Sequence, residues 1–180
     1  MSGLEISLAR DGEFEAVDRL IAAAYAHDYG PSDYSRQSFR TLAEQFDVWA
    51  AREGGEVIGS VTTRRRGGPG LHEDARPDEL DLRLLGVSPA VRRAGVGAAL
   101  MRHVIAEAAG AGFAAVFLKT APNMHGAHRL YEALGFERAA ERDGLWIGGS
   151  KVLDLFSYRY ALAPAPLTGV LRQGEPRMEA

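Results

Sequence analysis

At 180 residues, 46% of them hydrophobic, the chain is long enough to bury one core and short for two ordinary domains. Its formal net charge of -3, from 24 acidic and 21 basic residues, excludes a general nucleic-acid footprint and a polybasic membrane face. Cysteine is absent, which removes disulfides, thiolate metal sites and a cysteine nucleophile together.

The first residues carry Glu5, Arg10, Asp11 and Glu13 rather than the apolar stretch of a signal peptide. No run reaches the roughly 18 apolar residues of a spanning helix. A soluble cytoplasmic protein with no membrane or nucleic-acid partner is the expectation.

Leu4 to Ala9 reads as a strand, and Asp11 as the cap of a helix whose Phe14, Val17, Leu20, Ile21, Ala24 and Tyr25 recur at helical spacing. A short helix is expected around Ser35 to Gln45. Val48 to Arg52 and Val57 to Thr63 are β-prone runs joined by Glu53-Gly54-Gly55-Glu56, which predicts an antiparallel hairpin. Gly67 to Asp78, rich in glycine and proline at its start, reads as a mobile surface loop.

Glu79 to Val87 is the next strand, ended by Ser88-Pro89. A helix follows with Val96, Leu100, Met101, Val104, Ile105 and Ala108 on one face, then Phe113 to Thr120 as a buried strand, completing a βαβ unit. Met124 to Leu134 is a further helix stopped by Gly135. Phe136 to Ile147 and Val152 to Leu162 are expected as a closing strand pair around Gly148-Gly149. One domain over 1–162 and a flexible tail over 163–180 follow from this pattern.

The turn Arg92-Arg93-Ala94-Gly95-Val96-Gly97-Ala98 joins a strand to a helix start, where backbone N–H groups lack intrahelical partners. Without side chains at Gly95 and Gly97 the backbone can approach an anion closely, and the helix dipole adds positive potential. Arg92 and Arg93 add full charges at the rim. The spacing is neither a dinucleotide fingerprint, whose third glycine would fall at Leu100, nor a P-loop. By itself the turn is compatible with anion binding or with a plain tight connection.

Leu84-Leu85-Gly86-Val87-Ser88-Pro89 followed by Arg92-x-x-Gly95-x-Gly97 resembles the central motif of the GNAT acetyltransferase superfamily. Downstream, Ala127-His128-Arg129-Leu130-Tyr131-Glu132-Ala133-Leu134-Gly135-Phe136 resembles that superfamily's Ala-x-x-x-Tyr-x-x-x-Gly-Phe segment. The resemblance implies an α/β (α+β) fold of the GNAT type: a central mixed, largely antiparallel sheet of about seven strands, flanked by helices, with a splayed parallel pair at its centre.

It also implies acetyl-CoA as co-substrate, with no metal. The arm of that molecule would meet main-chain groups near Leu85, Gly86 and Val87, and its pyrophosphate the turn from Arg92 to Ala98. Tyr131 falls where the family places a proton donor for the departing thiolate. Asp81, six residues before Val87, falls near the family's glutamate base, with Glu79 as reserve. Where the family often carries asparagine, seven residues before the tyrosine, this chain has Met124, with Asn123 one place early. Either Asn123 bonds the arm through a shifted turn, or Met124 packs there.

His125 and His128, three apart with no third ligand implied, read as helix-surface residues rather than a metal site. Tyr25, Tyr29, Tyr34 and Trp146 are candidates for an acceptor cleft, and Arg64-Arg65-Arg66 for an acidic ligand or a solvated strand end. The implied reaction is acetyl transfer to an amine. A small-molecule acceptor is favoured, a lysine or amino-terminal amine of a protein is the alternative, and a non-catalytic acetyl-CoA sensor the third. The resemblance also leaves a homodimer open.

Overall fold

The structure, a computed structural model, describes residues 3–30 and 37–164. Tyr34, the expected helix start at Ser35, and the expected tail from 165 onward lie outside the described residues.

Strand β1 (Glu5–Leu8) leads through a short 3-10 turn, Asp11–Glu13, into helix α1 (Phe14–Tyr29). The N-terminal cap is not made by Asp11. Instead the Arg10 N–H donates to Glu13 Oε2 at 2.7 Å, which fixes the chain's entry to the helix. Phe14, Val17, Leu20, Ile21 and Ala24 are buried, as their helical spacing requires. A short α2 (Phe39–Leu42) is capped by Ser38, whose Oγ accepts from the Thr41 N–H at 3.3 Å.

The expected hairpin is β2 (Asp47–Glu53) and β3 (Glu56–Thr63), and the next strand is β4 (Glu79–Val87). Helix α3 (Val96–Gly110) and strand β5 (Ala115–Thr120) complete the βαβ unit, and α4 (His125–Leu134) follows. The closing strand pair is broken up. Only β6 (Glu137–Arg138) and β9 (Phe156–Ala161) join the main sheet, while β7 (Leu145–Ile147) and β8 (Ser150–Leu153) form a separate hairpin. The break has a local cause. Asp143 turns inward and its Oδ1 accepts the Ser157 N–H at 2.8 Å, and the next residue, Gly144, takes φ 97°.

The main sheet has seven strands in the order β1-β2-β3-β4-β5-β9-β6, with β4 and β5 its parallel pair and every other neighbour antiparallel. Leu80, Leu82, Val116, Leu118 and Tyr158 pack with Leu100, Met101 and Val104 of α3 on one face. By the period of two, Glu79, Asp81, Phe117, Lys119 and Arg159 project from the opposite face. That face carries charge in place of a second fully apolar layer, and α1 covers its β3 and β4 side. No helix among the described residues is long and apolar enough to cross a membrane.

Candidate active site

The parallel pair opens into a fork. Strand β4 continues to Val87, yet its pairing with β5 ends at Leu82↔Leu118, so the backbone groups beyond Leu82 have no strand partner on that side. On the other side the β3–β4 register shifts between Ser60 and Thr62, and Leu84 takes φ 58°. A bulky residue in the left-handed region is uncommon, and here it marks a bulge that re-aims the strand toward the fork. The bulge sits at Leu84, just before the Leu85–Val87 segment. Leu85 and Val87 are half-buried against the α3 core. Gly86 serves packing: a Cβ there would stand 2.6 Å from Ile21 Cδ1, so its bare backbone lets α1 lie against β4.

The turn after β4 ends on the α3 N-terminus. Arg93 takes φ 65° and Gly95, the N-cap, φ 80°. The first helical bond runs from the Ala99 N–H to the Gly95 carbonyl at 3.0 Å, which leaves the N–H groups of Val96, Gly97 and Ala98 without helical acceptors. Arg92, Arg93, Ala94 and Gly95 are exposed. The helix dipole and these cations give the turn a positive potential. Gly97 faces inward: a Cβ would lie 3.5 Å from Leu130 Cδ2 and 3.7 Å from Val87 Cγ2, in the groove where α3, α4 and the fork meet.

Helix α4 brings Tyr131 to the same groove, at 5% exposure. Burial, and then the neighbouring phenols of Tyr25, Tyr29 and Tyr158, push its hydroxyl well above the usual range. Tyr25 and Tyr29 of α1 are in edge contact with each other at 5.8 Å, and the Tyr131 ring lies 5.8 Å from those of Phe136 and Tyr158. Asn123 is exposed, while Met124 packs at the head of α4, its Sδ accepting from Thr120 Oγ1 at 3.4 Å.

The two carboxylates of β4 are both fully buried. Glu79 is saturated: Oε1 accepts from Arg142 Nη1 (2.8 Å) and Arg159 Nε (3.1 Å), and Oε2 from Arg142 Nη2 (2.9 Å) and the Arg76 N–H (3.0 Å). Burial opposes its charge, but the Arg142, Arg76 and Arg159 hydrogen bonds outweigh burial and hold the carboxyl below its ordinary value. Asp81 Oδ2 accepts from the His72 N–H at 2.7 Å and lies 3.1 Å from His72 Nδ1, while Oδ1 is buried without a partner.

A profile of the acetyltransferase (GNAT) family matches residues 14–136, which contain the fork, the turn and Tyr131. The chain belongs to the acetyltransferase (GNAT) family. It is 30% identical to mouse (Mus musculus) N-acetyltransferase family 8 member 3 over 114 residues, 63% of this chain and 49% of that protein. It is 35% identical to N-acetylaspartate synthetase of Danio rerio over 101 residues, 56% of this chain and 33% of that protein. The chain thus aligns with half or less of these relatives' lengths. Among solved structures, a putative acetyltransferase from Salmonella typhimurium with acetyl-CoA superposes with a TM-score of 0.69 at 20% identity, covering 94% of this chain and 99% of that one. The ribosomal-protein-S18-alanine N-acetyltransferase of Escherichia coli gives 0.65 at 22%, covering 92% and 97%.

On the sheet face opposite α3, this GNAT chain holds a cavity of about 310 Å³ lined by Glu73, Asp74, Lys119, Leu145, Trp146 and Gly149. Lys119 is sealed there, donating to the carbonyls of Arg142 (2.8 Å) and Gly144 (2.6 Å) and pairing with Asp74 at 3.1 Å. Trp146 lines this cavity and is 45% exposed.

The 67–78 loop is anchored rather than loose. Arg64 donates to the Gly68 and Arg76 carbonyls, and His72 is bound to Asp81. Arg65 clamps Asp47 and the carbonyls of Ala43, Glu44 and Phe46, and Arg66 lies over the Phe113 ring. The arginine run is therefore spent within the fold. His128 Nε2 lies 3.0 Å from the Ala121 carbonyl oxygen, and among the described residues no three metal-ligating side chains converge. His72, Arg142 and Lys119 carry no signal in the sequence because each is placed by a loop or strand whose side-chain partners lie far along the chain.

Proposed function

We propose that the protein is an N-acetyltransferase that moves the acetyl group of acetyl-CoA directly to a primary amine of a small-molecule acceptor. The observation that carries this reading is the fork after Leu82↔Leu118, which opens onto the anion-binding start of α3. Family membership and the acetyl-CoA bound in the Salmonella structure support the choice of donor.

The groove fits that donor on physical grounds. The free N–H groups of Val96, Gly97 and Ala98, with Ala94 and Gly95 offering bare backbone, would bind the pyrophosphate, and Arg92 and Arg93 its charges. The main chain of Leu85 and Val87, unpaired on the β5 side, would hold the arm, and exposed Asn123 is the amide side chain that could assist it. When bound, acetyl-CoA supplies an activated thioester. Tyr131, kept protonated by burial, donates to the leaving sulfur.

The acceptor amine needs a proton acceptor, since an alkyl ammonium near pKa ~10.4 is almost fully charged at neutral pH. Glu79 is a poor one, because two arginines and a backbone N–H already occupy its oxygens. Asp81 is nearer the fork, but its carboxylate is sealed behind His72. A small acceptor is favoured by the size of the cavity beside Lys119, at the lower end of small-molecule sites.

The test is thiol release from acetyl-CoA across amines, amino acids, polyamines, aminoglycosides and peptides. Turnover with a small amine is expected. Turnover restricted to peptides would move the acceptor to protein, and tight acetyl-CoA binding with no thiol release from any amine would leave only a sensor.

A further inference from the structure

We propose that His72 accepts the proton of the acceptor amine through Nε2, and that Asp81 is the residue that positions it; the proposal rests on the acetyltransferase reading above. An ionised carboxylate only accepts hydrogen bonds, so the 3.1 Å contact between Asp81 Oδ2 and His72 Nδ1 places the imidazole proton on Nδ1. Nε2 then carries the lone pair. It makes no hydrogen bond among the described residues, and unlike Asp81 Oδ1 it is not sealed.

The backbone repeats the instruction. The His72 N–H also donates to Oδ2, at 2.7 Å, so one carboxylate oxygen fixes both the loop and the ring. The ring stands edge-on to Phe117, centroids 5.8 Å apart, and Asp81 and Phe117 are register partners one step before the β4–β5 pairing ends. His72 therefore sits at the root of the fork, on the face opposite α3. The next residues, Glu73 and Asp74, line the cavity beside Lys119. An amine held in that cavity would lie on the same face of the sheet as the His72 ring.

The unpartnered Oδ1 points the same way. A fully buried carboxylate with one idle oxygen is costly. The His72 N–H and ring both lie against its other oxygen, so the imidazole is the group placed beside this buried carboxylate.

The transfer balances. His72 Nε2 takes one proton from R–NH3+, and the freed nitrogen pair bonds the thioester carbonyl carbon. The C–S bond breaks with its pair on sulfur, which takes the Tyr131 proton. Tyr131 recovers a proton from the newly acylated nitrogen, and His72 releases its own to water, leaving one amide, one thiol and one H+.

The test uses the full-length protein in two arms. His72→Asn keeps an N–H donor for Asp81 while deleting the base, so kcat with the best amine is expected to fall roughly 100- to 10,000-fold with acetyl-CoA affinity within about threefold of wild type. Added imidazole should restore part of the turnover of His72→Ala. Independently of turnover, 15N NMR of the ligand-free protein should find His72 protonated at Nδ1, and Asp81→Asn should shift it toward the Nε2–H form with a loss of kcat.

Turnover by His72→Asn within about fivefold of wild type, or a wild-type His72 protonated at Nε2, overturns the proposal while leaving the acetyltransferase reading intact. Wild-type protein that releases no thiol with any amine overturns both.

Discussion

Arg92 Nη1 lies 2.8 Å from Asp28 Oδ2, so the cation at the rim of the anion turn is tethered to the last turn of α1. Burial opposes the Asp28 charge, but His27 and Arg92 together hold its carboxyl below the ordinary range. A partly exposed pair of this kind is worth at most about 1 kcal/mol, so an incoming phosphate can compete for Arg92. Asp28→Asn, which removes a competing anion, is expected to tighten acetyl-CoA binding about two- to fivefold, and Arg92→Ala to weaken it about tenfold. Calorimetric titration at low and high salt reads both effects. Equal affinities for wild type and Arg92→Ala at low salt would remove Arg92 from the site.

Gly95 and Gly97 should respond to alanine with opposite signs in stability. Gly95 has open space around it but φ 80°, so Gly95→Ala costs about 1 kcal/mol of backbone strain. Gly97 lies within α3 and meets only ordinary contacts at 3.5 and 3.7 Å, so Gly97→Ala gains up to about 1 kcal/mol from helix propensity. That same methyl enters the groove between Val87 and Leu130, and acetyl-CoA affinity should fall about tenfold or more. A more stable Gly97→Ala with undiminished affinity would show that the groove is not where the donor lies.

The proposed donor side of this molecule is legible in the sequence because it is local. The glycines, the strand before them and the Tyr131 helix are contiguous stretches whose spacing fixes their geometry, and the family resemblance they carry implies the seven-stranded mixed sheet that is found. The proposed acceptor side is built from long-range pairs that no periodicity announces: His72 on Asp81, Arg142 on Glu79, Lys119 on the Gly144 carbonyl. Glu79 and Asp81 are visible as acids on one strand face, but which is saturated and which is half-satisfied depends on arginines 63 and 80 residues away and on a loop whose composition reads as loose. The closing strands mislead for a related reason. Their alternation continues through Asp143, whose inward hydrogen bond to Ser157 breaks the pair in two.

Tyr131→Phe separates chemistry from packing. The Tyr131 hydroxyl makes no hydrogen bond among the described residues, so its loss should change unfolding free energy by less than about 1 kcal/mol. If the phenol protonates the leaving sulfur, kcat should fall roughly 100- to 10,000-fold with acetyl-CoA affinity nearly unchanged. Burial first, and the nearby phenols second, keep that hydroxyl protonated across the accessible alkaline range, so Tyr131 should contribute no alkaline limb to the kcat profile below about pH 10. Turnover in Tyr131→Phe within about fivefold of wild type would return the tyrosine to a packing role.

Toward the far edge of the sheet, Arg52 of β2, 2% exposed, meets Glu13 in two parallel hydrogen bonds, Nε to Oε1 and Nη2 to Oε2, each 2.6 Å. The Arg52 hydrogen bond is the main cause that lowers the Glu13 carboxyl from 4.5 to about 2, against the opposing effect of burial. A carboxyl whose folded value is depressed stabilises the fold above its unfolded value and loses that stabilisation as pH falls through the folded one. The window therefore runs from about 4.5 down to about 2, and the 16% exposed Glu13 side chain contributes roughly 3 kcal/mol above it. Glu13→Gln should be about 1 to 3 kcal/mol less stable at neutral pH, because it leaves the buried guanidinium with only the more distant Glu5 carboxylate, at 3.7 Å, as counter-charge, and its stability should depend less on pH across that window. Urea unfolding of both proteins at pH 6, 4 and 3 decides the matter: parallel stability curves would place the acid sensitivity of the fold elsewhere.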